Sequence, residues 1–150
     1  ESNGGLIFRG EYSNGKPLVG IGRAKYDDIN TNNNIYKGEI KNGFLNFGSV
    51  AVDMGNLLLN TDKKRVMVGI RSEKIATSYD PEYHFNQIRF SGNVVFEENL
   101  GSHRNVYFDF GNSQLCAVVD SYTPKSETIE FAINPKDLHF FDCESKRPIK

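Results

Sequence analysis

Two-residue alternation of apolar and polar side chains is the dominant pattern along this chain. Each alternating run is short and is bounded by Gly, Asn, Pro or Ser, and no segment keeps the 3.6-residue period of a helix. The apolar sets are Val66, Val68 and Ile70; Ile88, Phe90, Val94 and Phe96; Val106, Phe108 and Phe110; Leu115, Ala117 and Val119; and Ile129, Phe131 and Ile133. Many short strands closed by turns predict an all-β barrel or sandwich.

Two single-turn helices are predicted between these strands. Asn134 precedes Pro135, so its side chain can accept hydrogen bonds from the free N–H groups of a turn that starts at the proline. Ser72 is predicted to cap a second turn over residues 72–74. Both turns are too short to be more than connectors.

An internal repeat lies in the first third of the chain. The segment from Phe8 to Gly15 is echoed by the segment from Tyr36 to Gly43, and both read as a strand that enters an Asn-Gly hairpin turn. The pair also resembles the membrane-occupation-and-recognition-nexus repeat, although any two hairpins with such a turn look alike, and we favour that simpler reading. The polar stretch from Asp27 to Asn34 is predicted to be an exposed loop.

Composition narrows the classes of function. The 150 residues carry a net charge of -1, which argues against a nucleic-acid partner because such domains usually have a basic excess. Cys116 and Cys143 have no metal-ligand spacing and do not form a disulfide framework, which fits a reducing compartment. No apolar run is long enough to span a membrane, and no signal peptide is recognisable. Since residue 1 is Glu, we expect a piece of a longer protein.

Several motifs approach catalytic patterns without meeting them. The segment from Gly10 to Pro17 nearly matches a phosphate-binding loop, but Pro17 occupies the position where a Ser or Thr would ligate magnesium. Gly20-Ile21-Gly22 lacks the third glycine of a dinucleotide site. His84, His103 and His139 have no ligand-like spacing, and there is no nucleophile elbow. The sequence therefore predicts neither a catalytic residue nor a metal site.

Three segments in the second half share a resemblance. Gly69 to Ile75 is similar to a Gly-Ile-Arg-Pro-Glu-x-Ile signature, Gly92 to Ser102 to Gly-x-Val-x-x-x-Glu-x-Leu-Gly, and Ile133 to Asp142 to a closing Pro-x-x-x-His-x-Phe-Asp. Their order and spacing resemble the transport-associated OB-like (TOBE) domain that follows the ATPase domain of sugar-importer ABC transporters of the maltose and glycerol-3-phosphate type. On this basis residues 36–150 are the TOBE-like OB barrel, and residues 1–35 are an N-terminal hairpin and polar loop, a possible insertion.

The resemblance carries expectations about function. It implies a non-catalytic regulatory and dimerisation domain of the ATP-binding subunit, with no cofactor of its own and with ATP and Mg bound by the ATPase domain. The implied partners are that ATPase domain, a second copy of the subunit, the membrane permease subunits and a regulatory protein, at the inner face of the cell membrane. The candidate regulatory or interface residues are Gly69, Arg71, Glu73, Glu98, Leu100, Gly101, Ser102, His139 and Asp142.

The sequence departs from the family pattern at three places. Ser72 stands where proline is usual, His103 and Arg104 follow Gly101-Ser102 where an acidic residue and a threonine are common, and Ser145-Lys146 replaces Thr-Gly. Two other functions stay open. One is a small-ligand module that binds oxyanions or sugars, with Arg71, Arg89 or Arg104 donating charge-assisted hydrogen bonds. The other is single-stranded nucleic-acid binding, which the net charge disfavours.

Overall fold

A computed structural model describes residues 34–57, 59 and 61–149, together with Tyr26 and Ile29. The described residues form ten strands and four single-turn 3-10 helices, and no helix among them is long and apolar enough to cross a membrane. The strands are β1 (Ile35–Lys41), β2 (Phe44–Phe47), β3 (Val50–Asp53), β4 (Arg65–Gly69), β5 (Ala76–Thr77), β6 (Ile88–Asn99), β7 (His103–Phe110), β8 (Ser113–Asp120), β9 (Thr128–Ile133) and β10 (His139–Phe141). The 3-10 helices are Met54–Asn56, Ser72–Lys74, Pro81–His84 and Pro135–Asp137. The all-β prediction is confirmed.

The strands form two antiparallel sheets of five strands each. The first sheet has the order β10-β4-β1-β2-β3 and the second has the order β5-β9-β6-β7-β8. Two-residue turns join β1 to β2, β2 to β3 and β7 to β8. Short connections of this kind fix the register of each hairpin.

The predicted Asn-Gly hairpin is confirmed in its second copy. Asn42 and Gly43 both have positive φ, 54° and 80°, as a type I′ turn requires. The turn joins β1 to β2, where Lys41 pairs with Phe44. The first copy of the repeat lies outside the described residues.

The core between the sheets is dominated by phenylalanine rings. Phe108 stacks on Phe131 with ring centroids 4.2 Å apart, and Phe90 lies 5.0 Å from Phe110. Phe110 also meets Tyr36 of the first sheet edge-on at 5.5 Å, so aromatic contacts join the two sheets. The predicted alternation in β7, β8 and β9 is confirmed, because the apolar residues predicted to face inward there are all buried. Burial of these rings is the main source of stability.

Strand β4 departs from simple alternation because it is covered on both faces. Val66 and Val68 face the main core, while Met67 on the opposite face packs with Ile29 and Phe141 in a second cluster. Tyr26 extends this cluster through an edge-on contact with the Phe141 ring at 5.6 Å. Ile29 and Asn34 are both buried. The expectation that residues 27–34 form an exposed loop is therefore wrong at these two positions.

A β-bulge in β6 reverses the side of the strand that faces the core. Val94 pairs with Phe108 but Phe96 pairs with Tyr107, so Val95 is an extra residue in the ladder. Phe96 consequently points outward and is 50% exposed. The prediction that Phe96 shares the buried face of Phe90 is wrong, because an alternation rule assumes an uninterrupted ladder.

One of the two predicted helix caps is present. The side chain of Asn134 accepts a hydrogen bond from the backbone N–H of Lys136 at 3.0 Å, as predicted. Ser72 lies inside its 3-10 turn and makes no cap, and its buried hydroxyl instead accepts a hydrogen bond from Asn34 at 3.1 Å. The predicted capping role of Ser72 is therefore wrong.

Asn34 ties the first sheet to the free edge of β8. Its side-chain amide donates to the carbonyl oxygen of Cys116 at 2.8 Å, and its Oδ1 accepts from the Cys116 N–H at 2.8 Å. Its own carbonyl oxygen accepts from the N–H of Ile70, just after β4. Because β8 is the last strand of its sheet, this side chain satisfies backbone groups that no strand reaches.

Candidate functional site

The first motif begins at Gly69, the last residue of β4. Gly69 lies between two paired strands, opposite Ile35 on one side and His139 on the other. An added Cβ would come within 3.0 Å of the side chains of both Ile29 and Ile35. Close packing, and not a positive φ, therefore explains the glycine.

The rest of the first motif forms the 3-10 helix Ser72–Lys74, which packs against β8. Arg71 precedes the turn and is partly buried, while Glu73 is exposed. The pKa of nearby Asp137 is raised by burial, and the charge of Glu73 adds to that rise. The turn thus presents Glu73 and Lys74 at the surface and is anchored from beneath by the buried Ser72.

The closing motif comes next to the first motif in space. His139 of β10 pairs with Gly69 of β4, which brings residues 70 positions apart in the chain side by side. Asp142 follows β10 and forms an ion pair with Lys63 at 2.8 Å. It also accepts hydrogen bonds from the N–H groups of Ser145 and Glu144. The Lys63 ammonium and the Ser145 N–H hold the pKa of Asp142 well below its usual range.

The middle motif lies in the other sheet, at the hairpin between β6 and β7. Gly101 has a φ of 93°, and the Leu100 N–H donates to the carbonyl oxygen of His103 across the turn at 2.9 Å. Leu100 is 52% exposed at this tip. The hydroxyl of Ser102 lies 3.0 Å from Nδ1 of His103. The turn therefore presents an apolar side chain on a rigid frame.

Glu98 is held on the outer face of the same hairpin. Its carboxylate accepts hydrogen bonds from the Tyr107 hydroxyl at 2.9 Å and from the Asn105 amide at 3.3 Å. Burial and the neighbouring carboxylate raise the pKa of Tyr107 above its ordinary value. Glu98 is therefore exposed but belongs to a local hydrogen-bond network with β7.

An ion pair that the sequence did not predict lies behind this hairpin, between the buried Arg104 and the partly buried Glu97. Arg104 is 4% exposed, and its Nε donates to the Glu97 carboxylate at 2.7 Å. Its Nη1 donates to the carbonyl oxygen of Ser121 at 3.3 Å. The bulge at Val95 places Glu97 on the inner face, so the partner of Arg104 could not be read from alternation.

Two of the three arginines considered for oxyanion binding, Arg89 and Arg104, are engaged by groups of the protein itself. Arg104 neutralises Glu97, and Arg89 donates to the carbonyl oxygens of Tyr83, His84 and Asn86. Within residues 34–57, 59 and 61–149 no group of His, Cys, Asp and Glu is arranged to hold a metal ion. Cys116 and Cys143 are both free thiols.

Comparison with known proteins finds similarity to a transport ATP-binding protein and to a solved molybdate-binding protein. No protein-family profile matches the chain. It is 29% identical over 108 residues to the multiple sugar-binding transport ATP-binding protein MsmK of Streptococcus mutans, an alignment that covers 68% of this chain and 29% of that protein. A crystal structure of the cytoplasmic molybdate-binding protein ModG with molybdate bound superposes with a TM-score of 0.50 at 13% identity, covering 71% of this chain and 94% of that one. The TOBE resemblance is confirmed.

The TOBE-type fold accounts for the placement of the three motifs. The first and closing motifs meet at the β4–β10 pair of one sheet, and the middle motif forms a hairpin of the other. The structural similarity to ModG agrees with an OB-like barrel of short antiparallel strands. Because this chain spans less than a third of the length of MsmK, the activity and partners of the whole transport protein are a matter of proposal.

Proposed function

We propose that this TOBE-type domain is the non-catalytic regulatory and dimer-supporting part of the ATP-binding subunit of an ABC importer for sugars or related solutes. The similarity to MsmK over 68% of the chain carries the proposal. In this setting the domain works next to an ATPase domain that binds ATP and Mg, at the cytoplasmic face of the membrane through the permease subunits. It contributes binding surfaces and no chemistry.

The β6–β7 hairpin is the surface that best fits contact with a second copy. Leu100 at its tip is 52% exposed and Val95 at the bulge is 47% exposed. Apolar side chains exposed on one rigid hairpin favour a protein contact over solvent. The corner around Asp142, at the end of β10, is less suited to a subunit contact, because the Asp142 carboxylate already binds Lys63 and the N–H groups of Glu144 and Ser145. We therefore place the subunit contact at the hairpin and treat the Asp142 corner as structural.

Sedimentation of the purified chain tests the dimer-supporting role. We expect weak, concentration-dependent self-association, with dissociation constants in the range of about 0.1–1 mM. Leu100→Asp should weaken it at least tenfold, about 1.4 kcal/mol, because the charge would be buried at the contact. Phe85→Asp is the matched control, since Phe85 is 78% exposed on a different surface.

Two outcomes contradict the proposal. ATP turnover by the chain above background would refute its non-catalytic character. A strict monomer at millimolar concentration, for both the unmodified chain and the control, would remove the dimer-supporting role. Association that Phe85→Asp abolishes and Leu100→Asp leaves intact would refute the hairpin as the contact.

A further inference from the structure

An open cleft of about 560 Å³ lies where the two sheets meet, away from the first and closing motifs, and one of its lining residues, Asn93, belongs to the start of the middle motif. It is bounded by the turn after β2 and by the turn between β7 and β8. Its other wall is the outer face of β6 and β7, the face opposite the buried phenylalanines. The polar side chains that line it are Ser49, Ser91, Asn93, Asp109, Asn112, Ser113 and Gln114.

The lining of the cleft has a specific chemical character. It consists of hydroxyl groups, side-chain amides and one carboxylate, and none of the described residues that line it is basic. Hydroxyls and amides can both donate and accept hydrogen bonds, which matches the mixed donors and acceptors of a sugar. An anion would meet the Asp109 carboxylate with no cation of the lining to balance it. The cleft therefore suits a neutral polyhydroxylated molecule.

The two turns that bound the cleft are held in place. Gly48 and Gly111 have positive φ, 57° and 65°, and a Cβ on Gly111 would lie 2.9 Å from the Gly48 Cα. Only glycine permits this approach of backbone to backbone. The Asn112 N–H donates to the Tyr36 hydroxyl at 3.0 Å, which ties the second turn to the first sheet.

The β6 wall is also fixed by hydrogen bonds from β9. The Ser91 hydroxyl donates to the Glu130 carboxylate, and the Thr128 hydroxyl donates to Oδ1 of Asn93 at 3.1 Å. Side chains fixed in this way lose little conformational entropy when a ligand binds. The cleft is thus preorganised for ligand binding.

An exposed aromatic surface adjoins the polar cleft. Phe96 stacks on Tyr107 with centroids 4.4 Å apart and planes 11° from parallel, yet it stays 50% exposed. Tyr107 and Asp109 are two residues apart on β7, so their side chains share one face of the sheet. The C–H face of a sugar ring packs on aromatic rings while its hydroxyls bind polar groups. Phe96 is placed for that packing.

We propose that this cleft and the Phe96 ring form a binding site for a neutral saccharide. This saccharide site goes beyond the proposed regulatory role, because that role requires no bound ligand. The saccharide site and the regulatory role can therefore be tested independently. Saccharide binding is a property of the isolated chain in solution. Self-association depends on the hairpin tip at Leu100, which does not line the cleft.

Backbone amide NMR titration with defined probes tests the site. We expect maltose and maltotriose to bind with dissociation constants of about 1 mM and to shift the Gly111, Asn112 and Ser113 amides. Inorganic phosphate and molybdate should leave these amides unmoved, and glucose 6-phosphate should bind more weakly than maltose. Shifts caused by the inorganic anions and not by the sugars, or no shift with any probe at about 50 mM, would overturn the proposal.

Two variants with matched controls locate the ligand. Asp109→Asn should weaken maltose binding roughly tenfold, because a hydrogen bond to a charged group is replaced by a neutral one. Asp62→Asn, an exposed change outside the cleft, should have no effect. Phe96→Ala should likewise weaken binding several-fold while Phe85→Ala does not. Equal effects of a variant and its control would refute the assigned site.

Discussion

Replacing Asn34 removes the connection between the first sheet and the edge of β8. The Asn34 side chain is 1% exposed and makes three hydrogen bonds, two of them to the backbone of Cys116. In Asn34→Ala the Cys116 N–H and C=O lose their partners in a site closed to water. The Ile70 N–H keeps its partner, because that acceptor is a backbone oxygen.

The magnitude follows from the two groups left unsatisfied. A buried donor or acceptor without a partner costs about 1–3 kcal/mol, so the pair is expected to cost about 2–6 kcal/mol. A domain of this kind is stable by only about 5–15 kcal/mol, so the variant should be marginal and still fold. Asn34→Asp should not rescue it, because a carboxylate would keep the acceptor for the Cys116 N–H but oppose the Cys116 carbonyl oxygen.

Urea denaturation and amide hydrogen exchange measure the effect. The urea midpoint should fall in Asn34→Ala, and the Cys116 amide should lose protection under native conditions. Asn46→Ala is the matched control, since the exposed Asn46 amide makes only a 3.5 Å contact with a neighbouring carbonyl oxygen. A change below about 1 kcal/mol in Asn34→Ala, or an equal change in the control, would refute the bridging role.

Three further predictions concern the core. Arg104→Leu should cost about 1–3 kcal/mol in urea denaturation, because it leaves the partly buried Glu97 carboxylate without its partner. The double change Glu97→Leu with Arg104→Met should cost far less, and equal losses would contradict this. Burial raises the pKa of the Cys116 thiol from 9.0 to about 11. The folded state therefore holds this proton more tightly, and the free energy of unfolding should be unaffected below pH 9 and fall by roughly 3 kcal/mol up to pH 11. Cys116→Ala should remove that part of the slope; an unchanged slope would assign it to other groups. Gly48→Ala should cost about 2–5 kcal/mol, because Gly48 has a positive φ and an added methyl group would overlap the Phe110 ring. Gly43→Ala is the control, since Gly43 also has a positive φ but faces open space, and it should cost about 1–2 kcal/mol. Similar losses in the two variants would argue against the overlap.

The candidate site was only partly accessible to sequence reasoning. The three TOBE motifs named residues such as Gly69 and Leu100, but pairing of His139 with Gly69 depends on strand order, which no local pattern specifies. The cleft side chains Ser49, Asn93 and Asp109 come from three separate segments of the chain. Isolated polar residues on exposed strand faces are common, so nothing marked these three before the strands were assembled.

Local chemistry and tertiary packing decided different parts of this protein. The sequence by itself determined strands β7, β8 and β9, the Asn42-Gly43 turn and the cap at Asn134. Side-chain alternation, a positive φ and helix capping each depend on residues only a few positions apart. Tertiary structure decided the outward turn of Phe96 and the role of Asn34, whose partner Cys116 is 82 residues away. A bulge is defined by the pairing with a partner strand, and the Asn34 side chain can bridge the two sheets only after both have formed.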